Sequence, residues 1–248
     1  MPTDYDAIAD GYKRAKQQPW RHHIETFTLL DVIGSLDGRK VVDLACGEGF
    51  YTRLLRAHGA SEVLGIDLSE GMIHLAREEE ENNALGIDYQ VNDVRSLNLD
   101  RKFDLAIAAY LLNYARNESE LLAMCVSIAN CLRPGGRFVT VNANPEMDFR
   151  RLPSFRQYGF DVGFDGEVVE GTPFTWTFYL EDGPISVENY HLGLAAHERS
   201  LRSAGFVDVV WHRPRLSPDR TGEREGFWST FLKEAPVIFM ECRLPTSC

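Results

Sequence analysis

The segment VVDLACGEGFYT, residues 41–52, constrains the fold more than any other part of this chain. Two β-branched residues lead into Asp43, small residues follow, and a helical pattern begins at Phe50. This order predicts a strand that runs through a tight loop into a helix N-terminus. Backbone N–H groups are unpaired there, and Gly47 and Gly49 let a polar ligand approach the backbone closely. The segment therefore predicts a ligand-binding loop.

A second apolar run, EVLGI at residues 62–66, ends in Asp67. Its place behind a strand and a helix predicts the next strand of an α/β sheet. A carboxylate at the end of the second strand can accept hydrogen bonds from both hydroxyls of a ribose. Together with the loop, Asp67 predicts a nucleoside-like ligand.

The loop differs from that of a dinucleotide-binding protein. A dinucleotide loop has the form G-x-G-x-x-G, whereas Thr52 stands here at the position of the third glycine. In addition, Asp43 precedes the loop, and a negative charge at that point suits a cationic ligand better than a pyrophosphate. The sequence favours a nucleoside that carries positive charge.

Apolar spacing predicts that helices and strands alternate through the first 145 residues. Helices are predicted at 20–34, from about 50 to 58, after the N-cap Ser69 and at 118–132, and strands at 40–44, 62–66, 87–91, 103–108 and 137–141. Arg133-Pro134-Gly135-Gly136 predicts a turn before the last of these strands, because Pro and paired Gly stop a helix. The alternation implies a parallel sheet with helices on both faces.

The second half is less regular, and residues 145–190 are rich in aromatic residues, Gly and Pro. The elements predicted here are strands at 173–179 and 184–190, a helix at 193–204, and strands that begin at Phe206 and Val237. We expect the irregular segment to form a cap over the ligand edge of the sheet.

Composition and charge exclude several classes of protein. A chain of 248 residues suits one α/β domain, and a formal net charge of −11 argues against a nucleic-acid partner. The five cysteines are odd in number and form no C-x-x-C pair, which predicts reduced thiols in a cytoplasmic protein. No signal-peptide pattern or membrane-spanning apolar run is evident, which also favours the cytoplasm.

Residues 40–141 carry, in order, motifs that resemble those of the class I S-adenosylmethionine (SAM) methyltransferases. The D-x-A-x-G-x-G loop resembles motif I, with Ala45 at the usual first glycine. GIDLSEGMIHLARE resembles motif II, FDLAIAAYLLNYA resembles motif IV, and LRPGGRFV resembles the turn before the fifth strand. The resemblance implies a Rossmann-like, seven-stranded, mostly parallel sheet with helices on both faces, plus an N-terminal helical lid and a small cap insertion.

The same resemblance implies residues that bind SAM and its product S-adenosylhomocysteine. Asp67 would bind the ribose, Leu68 and Met72 would flank the adenine, and Asp93 would hold its amino group. The other implied cofactor residues lie in the loop and at strand ends: Asp43, Ala45, Cys46, Gly47, Asn92, Val94 and Ala109.

The opening YDAIADGYKRAKQQPWR resembles the lid of small-molecule members, most of all the toxoflavin-pathway N-methyltransferases of azapteridine biosynthesis. In that family Tyr12 would pack near the methyl-bearing sulfur, and Arg21 could pair with the methionine carboxylate. We expect one domain of 248 residues, divided into a lid (1–35), a SAM-binding core (36–144), a substrate cap (145–191) and a C-terminal part of the core (192–248).

The end of the motif IV strand limits the chemistry. Catechol-type methyltransferases bind magnesium through acids there and aminopropyltransferases need acids for a polyamine, whereas residues 109–114 contain none, so no metal is expected. DNA amino-methyltransferases carry a Pro-Pro clamp at this place, which is also missing. We therefore expect no nucleic-acid partner. We also expect no membrane partner, and we expect the protein to be a monomer or a homodimer.

Aromatic residues of the cap suggest an apolar pocket for a flat small molecule. Predicted substrate contacts are Tyr110, Asn113, Trp176 and Tyr190. If a base removes the acceptor proton, His191 is the candidate, whereas His197 is expected to be an exposed helix residue. The sequence thus predicts methyl transfer from SAM to a nitrogen or oxygen of a small, heteroaromatic molecule. The alternatives are a SAM-binding regulatory subunit without catalysis and a methyltransferase that acts on a macromolecule.

Overall fold

The computed structural model describes residues 11–164, 166–219 and 224–246. Within them the chain forms a seven-stranded sheet with helices on both faces and a separate three-stranded sheet. The Rossmann-like fold class predicted from the motifs is confirmed. The first ten residues of the expected lid lie outside the described residues.

Among the described residues, five of the six α-helices follow the predicted spacing. Their bounds are α1 Phe27–Ile33, α2 Phe50–Ala57, α3 Glu70–Asn82, α4 Glu118–Cys131, α5 Leu194–Ser203 and α6 Ser229–Glu234. The π-helical segment Arg21–Thr26 leads directly into α1. At the start of α3 the Ser69 hydroxyl accepts a hydrogen bond from the Met72 N–H at 3.0 Å, as the N-cap prediction required.

The strands comprise β1 Lys40–Leu44, β2 Glu62–Asp67, β3 Asp88–Val91, β4 Phe103–Ala109, β5 Leu132–Ala143, β6 Phe160–Phe164, β7 Pro173–Leu180, β8 Gly183–Tyr190, β9 Val207–His212 and β10 Val237–Arg243. The large sheet has the order β3-β2-β1-β4-β5-β10-β9, with β10 antiparallel to both neighbours. The strand order reverses between β1 and β4. In open α/β sheets, ligands bind in the crevice at such a reversal, beyond the carboxyl ends of the strands.

Successive residues of each central strand pack into opposite layers of the core. Val41 belongs to the layer under α2 and α3, whereas its neighbour Val42 belongs to the layer under α4 and α5. Both side chains are fully buried, as expected for a parallel sheet that is covered on both faces. This packing fixes the carboxyl ends of β1, β2 and β4 against one another.

Three local features of the structure differ from the predicted pattern. The predicted turn at 133–136 is wrong, because β5 starts at Leu132, directly after α4. The pairing of β5 with β4 shifts register between Phe103 and Leu105, and such an irregularity accommodates a proline within a strand. Strand β6 and helix α6 have no counterpart in the predicted pattern.

Strands β6, β7 and β8 form the antiparallel three-stranded sheet of residues 160–190. On β7 every second residue is buried, namely Phe174, Trp176 and Phe178. Trp20, which precedes the π-helical segment, packs on Phe160 with ring centroids 5.0 Å apart. The N-terminal helical segment and the three-stranded sheet therefore share one aromatic cluster.

Candidate functional site

The loop after β1 has an unusual backbone. Ala45, Gly47 and Gly49 have φ values of 58°, 57° and 87°, in the left-handed region that favours glycine. A Cβ on Gly47 would meet nothing within 4 Å, whereas a Cβ on Gly49 would lie 2.4 Å from the Tyr89 hydroxyl oxygen. Gly49 is thus required by packing, and Gly47 leaves its backbone open to a ligand.

Asp67 ties this loop to the second strand. Its Oδ2 accepts a hydrogen bond from the Gly47 N–H at 2.8 Å, and its Oδ1 accepts one from the Ser69 N–H at 2.9 Å. Burial raises the pKa of Asp67, and these backbone hydrogen bonds oppose that rise. The carboxylate is therefore a structural anchor of the loop in addition to a candidate ligand for a ribose.

A cavity of about 320 Å³ lies beside the loop at the carboxyl ends of the strands. The predicted cofactor residues that line it are Ala45, Leu68, Asp93 and Val94. Leu68 is 61% exposed, which leaves its surface available to a ligand. Leu111, Tyr114 and Tyr190 border the same space. Its volume falls in the range of small-molecule sites.

Asp93 lines the cavity, but its carboxylate already has partners. It accepts hydrogen bonds from the Arg95 backbone N–H and from the Arg95 guanidinium at 2.6–3.0 Å. These hydrogen bonds lower the pKa of Asp93. Asn92 is exposed and donates its backbone N–H to the Asp67 carbonyl at 2.9 Å.

The remaining predicted cofactor residues pack around the cavity without lining it. Met72 is 1% exposed and belongs to the core, so its predicted contact with adenine has no counterpart in the cavity wall. Cys46 is 7% exposed, and burial raises the pKa of its thiol, which stays protonated. Ala109 ends β4 and packs against the core.

Asp43 is 1% exposed at the end of β1. Its Oδ2 accepts a hydrogen bond from the Thr52 hydroxyl at 2.6 Å, and among the described residues its Oδ1 has no hydrogen-bond partner. Burial raises the pKa of this carboxyl to about 7. A buried carboxylate oxygen without a donor beside the loop fits a ligand that brings positive charge or N–H donors, as the methionine end of SAM does.

The raised pKa of Asp43 predicts a pH-dependent stability. An unfolded Asp releases its proton near pH 3.8, whereas folded Asp43 retains it to about pH 7, so folding is favoured at low pH. Compared with Asp43→Asn, the wild-type free energy of unfolding should fall between pH 5 and 7 by up to about 1.4 kcal/mol per pH unit. Urea unfolding of both proteins at pH 5, 6 and 7 measures this difference. Parallel pH profiles would contradict it.

A buried charge cluster lies behind the loop, between the N-terminal helical segment and the ends of β1 and β4. The Arg21 guanidinium donates to both carboxylate oxygens of Glu25, at 2.9 and 2.7 Å. The hydroxyls of Tyr51 and Tyr110 also donate to Glu25. Burial, followed by the Glu25 charge, raises the pKa of both phenols, so they stay protonated. Arg21 and Glu25 are at most 1% exposed.

Lys16 lies next to this cluster and is 7% exposed. Its ammonium nitrogen is 4.9 Å from the ring centroid of Tyr51, 5.3 Å from that of Tyr12 and 5.8 Å from that of Tyr110. Three aromatic faces stabilise a cation electrostatically. Sequence reasoning did not identify Lys16, Glu25 or Tyr51 as site residues. The one signal it offered was a pair of opposite charges four residues apart, Arg21 and Glu25, within an apolar helical stripe.

The residues predicted to bind the substrate divide between two small cavities of about 10 Å³ each. Tyr110 and Trp176 line the first together with Tyr12 and Arg21. Asn113, Tyr190 and His191 line the second. Tyr110 has a φ of 69°, a strained value for a bulky residue.

The two candidate histidines of this region have different surroundings. His191 is half-buried, its ring packs on Phe149 at 5.4 Å, and burial lowers its pKa, so the imidazole is neutral near pH 7. The expected exposure of His197 is wrong, since it is 6% exposed and its Nδ1 lies 3.0 Å from the Gly193 carbonyl oxygen. His191 keeps the properties of a candidate base.

Two kinds of feature are missing from residues 11–164, 166–219 and 224–246. Within them no group of three or more His, Cys, Asp or Glu side chains is arranged to hold a metal ion. None of the helices formed by these residues has the length and apolar character that a membrane span requires.

Comparison with known proteins gives partial matches in sequence. Residues 41–136 match a family model described as a methyltransferase domain. Over 113 residues the chain is 34% identical to the ubiquinone biosynthesis O-methyltransferase of Coxiella burnetii, across 44% of this chain and 47% of that protein. The chain thus spans about half the length of this curated relative.

Two further likenesses extend over nearly the whole chain. The N-demethylindolmycin N-methyltransferase of Streptomyces griseus is 22% identical over 229 residues, which cover 89% of this chain and 95% of that protein. The structure of the CcbJ methyltransferase from Streptomyces caelestis superposes with a TM-score of 0.66 at 19% identity, over 96% of each chain. At this identity the structural likeness concerns the fold.

Proposed function

We propose that this chain is a SAM-dependent methyltransferase that methylates a nitrogen or oxygen of a small, flat heteroaromatic molecule. The observation that carries the proposal is the cavity of about 320 Å³ beside the glycine loop, where the strand order reverses. Asp67 anchors that loop, and the methyltransferase-domain match spans the loop, Asp67 and β4. The chain offers a nucleoside site with carboxylates at its edge.

The cofactor supplies a methyl group that its positive sulfur already activates. In the proposed complex Asp67 accepts hydrogen bonds from the ribose, Leu68 and Val94 contact the adenine, and Asp43 faces the cationic end. The chain then has to hold the acceptor atom in line with the S–CH₃ bond and to keep water away. The aromatic residues of the cap near Tyr110 are suited to holding the acceptor and to keeping water away.

The acceptor is proposed to bind between the lid, residues 1–35, and the cap, residues 145–191. The rings of Tyr110 and Trp176 pack edge to face with centroids 6.4 Å apart, and both border a small cavity of about 10 Å³ on this side. The likeness to an N-demethylindolmycin N-methyltransferase supports a small acceptor. Azapteridines are the first candidates, because the lid resembles that of the toxoflavin-pathway enzymes.

A net charge of −11 supports the absence of a nucleic-acid partner. We propose that the enzyme also acts without a membrane partner, in the cytoplasm, as a monomer or homodimer. Sedimentation of the purified protein at several concentrations would distinguish the two oligomeric states.

Incubation with methyl-labelled SAM and a panel of heteroaromatic acceptors tests the function. Label in an acceptor, together with the mass gain of one methyl group, would support the proposal, and the position of the new methyl group would identify nitrogen or oxygen. Binding of S-adenosylhomocysteine without transfer to any acceptor would favour the regulatory-subunit alternative. Label in protein or RNA of a cell extract would favour a macromolecular substrate.

We expect His191→Ala to slow methyl transfer and to leave the affinity for S-adenosylhomocysteine unchanged, because His191 lines the small cavity of Asn113 and Tyr190 and not the larger one. If His191 is a base, the loss is large near neutral pH and recovers as rising pH deprotonates the acceptor itself. If it orients the acceptor, the loss is the same at each pH. His74→Ala, a change at an exposed histidine, is the control. Wild-type turnover in His191→Ala would remove His191 from the site.

A further inference from the structure

The methionine end of SAM carries both a carboxylate and an ammonium group. A protein that encloses it must supply a counter-charge for each, since an unpaired buried charge is costly. The resemblance to known lids suggested Arg21 as the partner of the carboxylate. The buried groups around the loop point to a different residue.

Arg21 already has its counter-charge. Its guanidinium donates to both oxygens of Glu25, and both residues are almost fully buried. Glu25 in turn accepts the hydroxyls of Tyr51 and Tyr110. The pair is therefore neutral as a unit, and a second carboxylate at Arg21 would bring an excess negative charge into a site that contains Glu25.

Lys16 is a buried cation in a different situation. Its ammonium group is surrounded by the rings of Tyr12, Tyr51 and Tyr110, and among the described residues no carboxylate forms an ion pair with it. Aromatic faces offset part of the cost of burying an ammonium group, but they do not neutralise its charge. Lys16 is thus the buried cation of this region that lacks an anion.

The complementary group is Asp43. The positive charge of Lys16 acts on Asp43 and favours its ionised form, yet the two side chains form no ion pair. The Asp43 Oδ1 is buried and has no hydrogen-bond partner among the described residues. A buried cation without an anion and a buried carboxyl oxygen without a donor are complementary in charge to the two ends of an α-amino acid.

We propose that Lys16 binds the carboxylate of the methionine end of SAM while Asp43 binds its ammonium group. Arg21 and Glu25 then act as a neutral pair that orients the two tyrosines. This inference rests on the proposed function, because it requires a SAM site. It assigns to Lys16 the recognition of the amino-acid end, as distinct from the nucleoside end at Asp67.

Isothermal titration with two ligands tests the assignment. S-Adenosylhomocysteine contains the amino-acid end, whereas 5′-methylthioadenosine keeps the adenosine and the sulfur but lacks that end. Lys16→Met should weaken binding of S-adenosylhomocysteine on the order of tenfold, because a charge-assisted hydrogen bond is lost. The same variant should bind 5′-methylthioadenosine as the wild type does, and Lys16→Arg should retain most of the affinity for S-adenosylhomocysteine.

Lys13→Met removes an exposed lysine three residues earlier and should change neither affinity. Unchanged or tighter binding of S-adenosylhomocysteine by Lys16→Met would overturn the assignment. An equal loss for both ligands would also overturn it, since it would indicate a structural role in the lid. A wild-type protein that binds neither ligand would instead overturn the proposed function.

Discussion

Replacement of Glu25 by alanine is expected to lower the free energy of unfolding by about 3–5 kcal/mol, a large part of the stability of an ordinary domain. The Arg21 guanidinium, which is almost fully buried, would lose the carboxylate that accepts its hydrogen bonds and balances its charge. The hydroxyls of Tyr51 and Tyr110 would lose their acceptor as well. Removal of one partner of a buried ion pair leaves the other as an uncompensated charge.

Urea unfolding at pH 7 measures this effect. The control is Glu198→Ala, because Glu198 also pairs with an arginine four residues away, Arg202, but on the surface. That change should cost at most about 1 kcal/mol. The double variant Arg21→Met/Glu25→Leu should recover much of the loss, since it removes both charges together. A cost for Glu25→Ala as small as that of the control would show that the cluster does not stabilise the fold.

Replacement of Asp67 by alanine is expected to weaken the binding of S-adenosylhomocysteine by about 2 kcal/mol, or roughly 30-fold. Charge-assisted hydrogen bonds to the ribose hydroxyls account for this loss. Asp67 also contributes to the stability of the loop. Its hydrogen bonds to the Gly47 and Ser69 N–H groups predict a lower free energy of unfolding too.

The affinity must be measured while the variant is folded, so the calorimetric titration is carried out well below the melting temperature. This separates the loss of affinity from the loss of stability. Asp88→Ala is the matched control, since Asp88 is an exposed carboxylate on the neighbouring strand β3. It should bind S-adenosylhomocysteine as the wild type does. An unchanged affinity in Asp67→Ala would remove Asp67 from the cofactor site.

Most of the large sheet could be predicted because its signals are local. The run from Lys40 to Leu44 is apolar enough to identify a buried strand without reference to its neighbours. By contrast, a proline such as Pro134 occurs both in turns and where the pairing of two strands is irregular, so the sequence does not distinguish the two structures. The register shift near Phe103 identifies the irregular pairing. Strand β6, FDVGF, alternates apolar residues with Asp161 and Gly163, but it is short and these two residues are poor strand formers, so its pairing with β7 is needed to identify it.

The candidate site also contains residues with a local sequence signal and residues without one. The loop residues and Leu68 could be predicted as candidates because they follow strands directly, and the end of a strand defines the ligand edge. The tyrosine partners of Glu25 are 26 and 85 residues away in sequence, at Tyr51 and Tyr110. A charge on an apolar helical stripe indicates burial only when such distant partners are known. The charge cluster is a tertiary property, and periodicity could not locate it.

The π-helical segment Arg21–Thr26 makes chain length, and not just residue identity, a constraint on this site. Residues 19–33 are helical throughout, and α1 continues from the segment without a break. A π-helical turn holds one residue more than an α-helical turn, so the segment can absorb a one-residue deletion by converting to α-helix. An insertion has no such outlet, and because one residue corresponds to about 100° around a helix, it would rotate everything before it by that angle while α1 kept its place. Lys16 and Trp20 would then face other neighbours. Among related chains, insertions should therefore be rarer here than single deletions, even where the residues themselves vary.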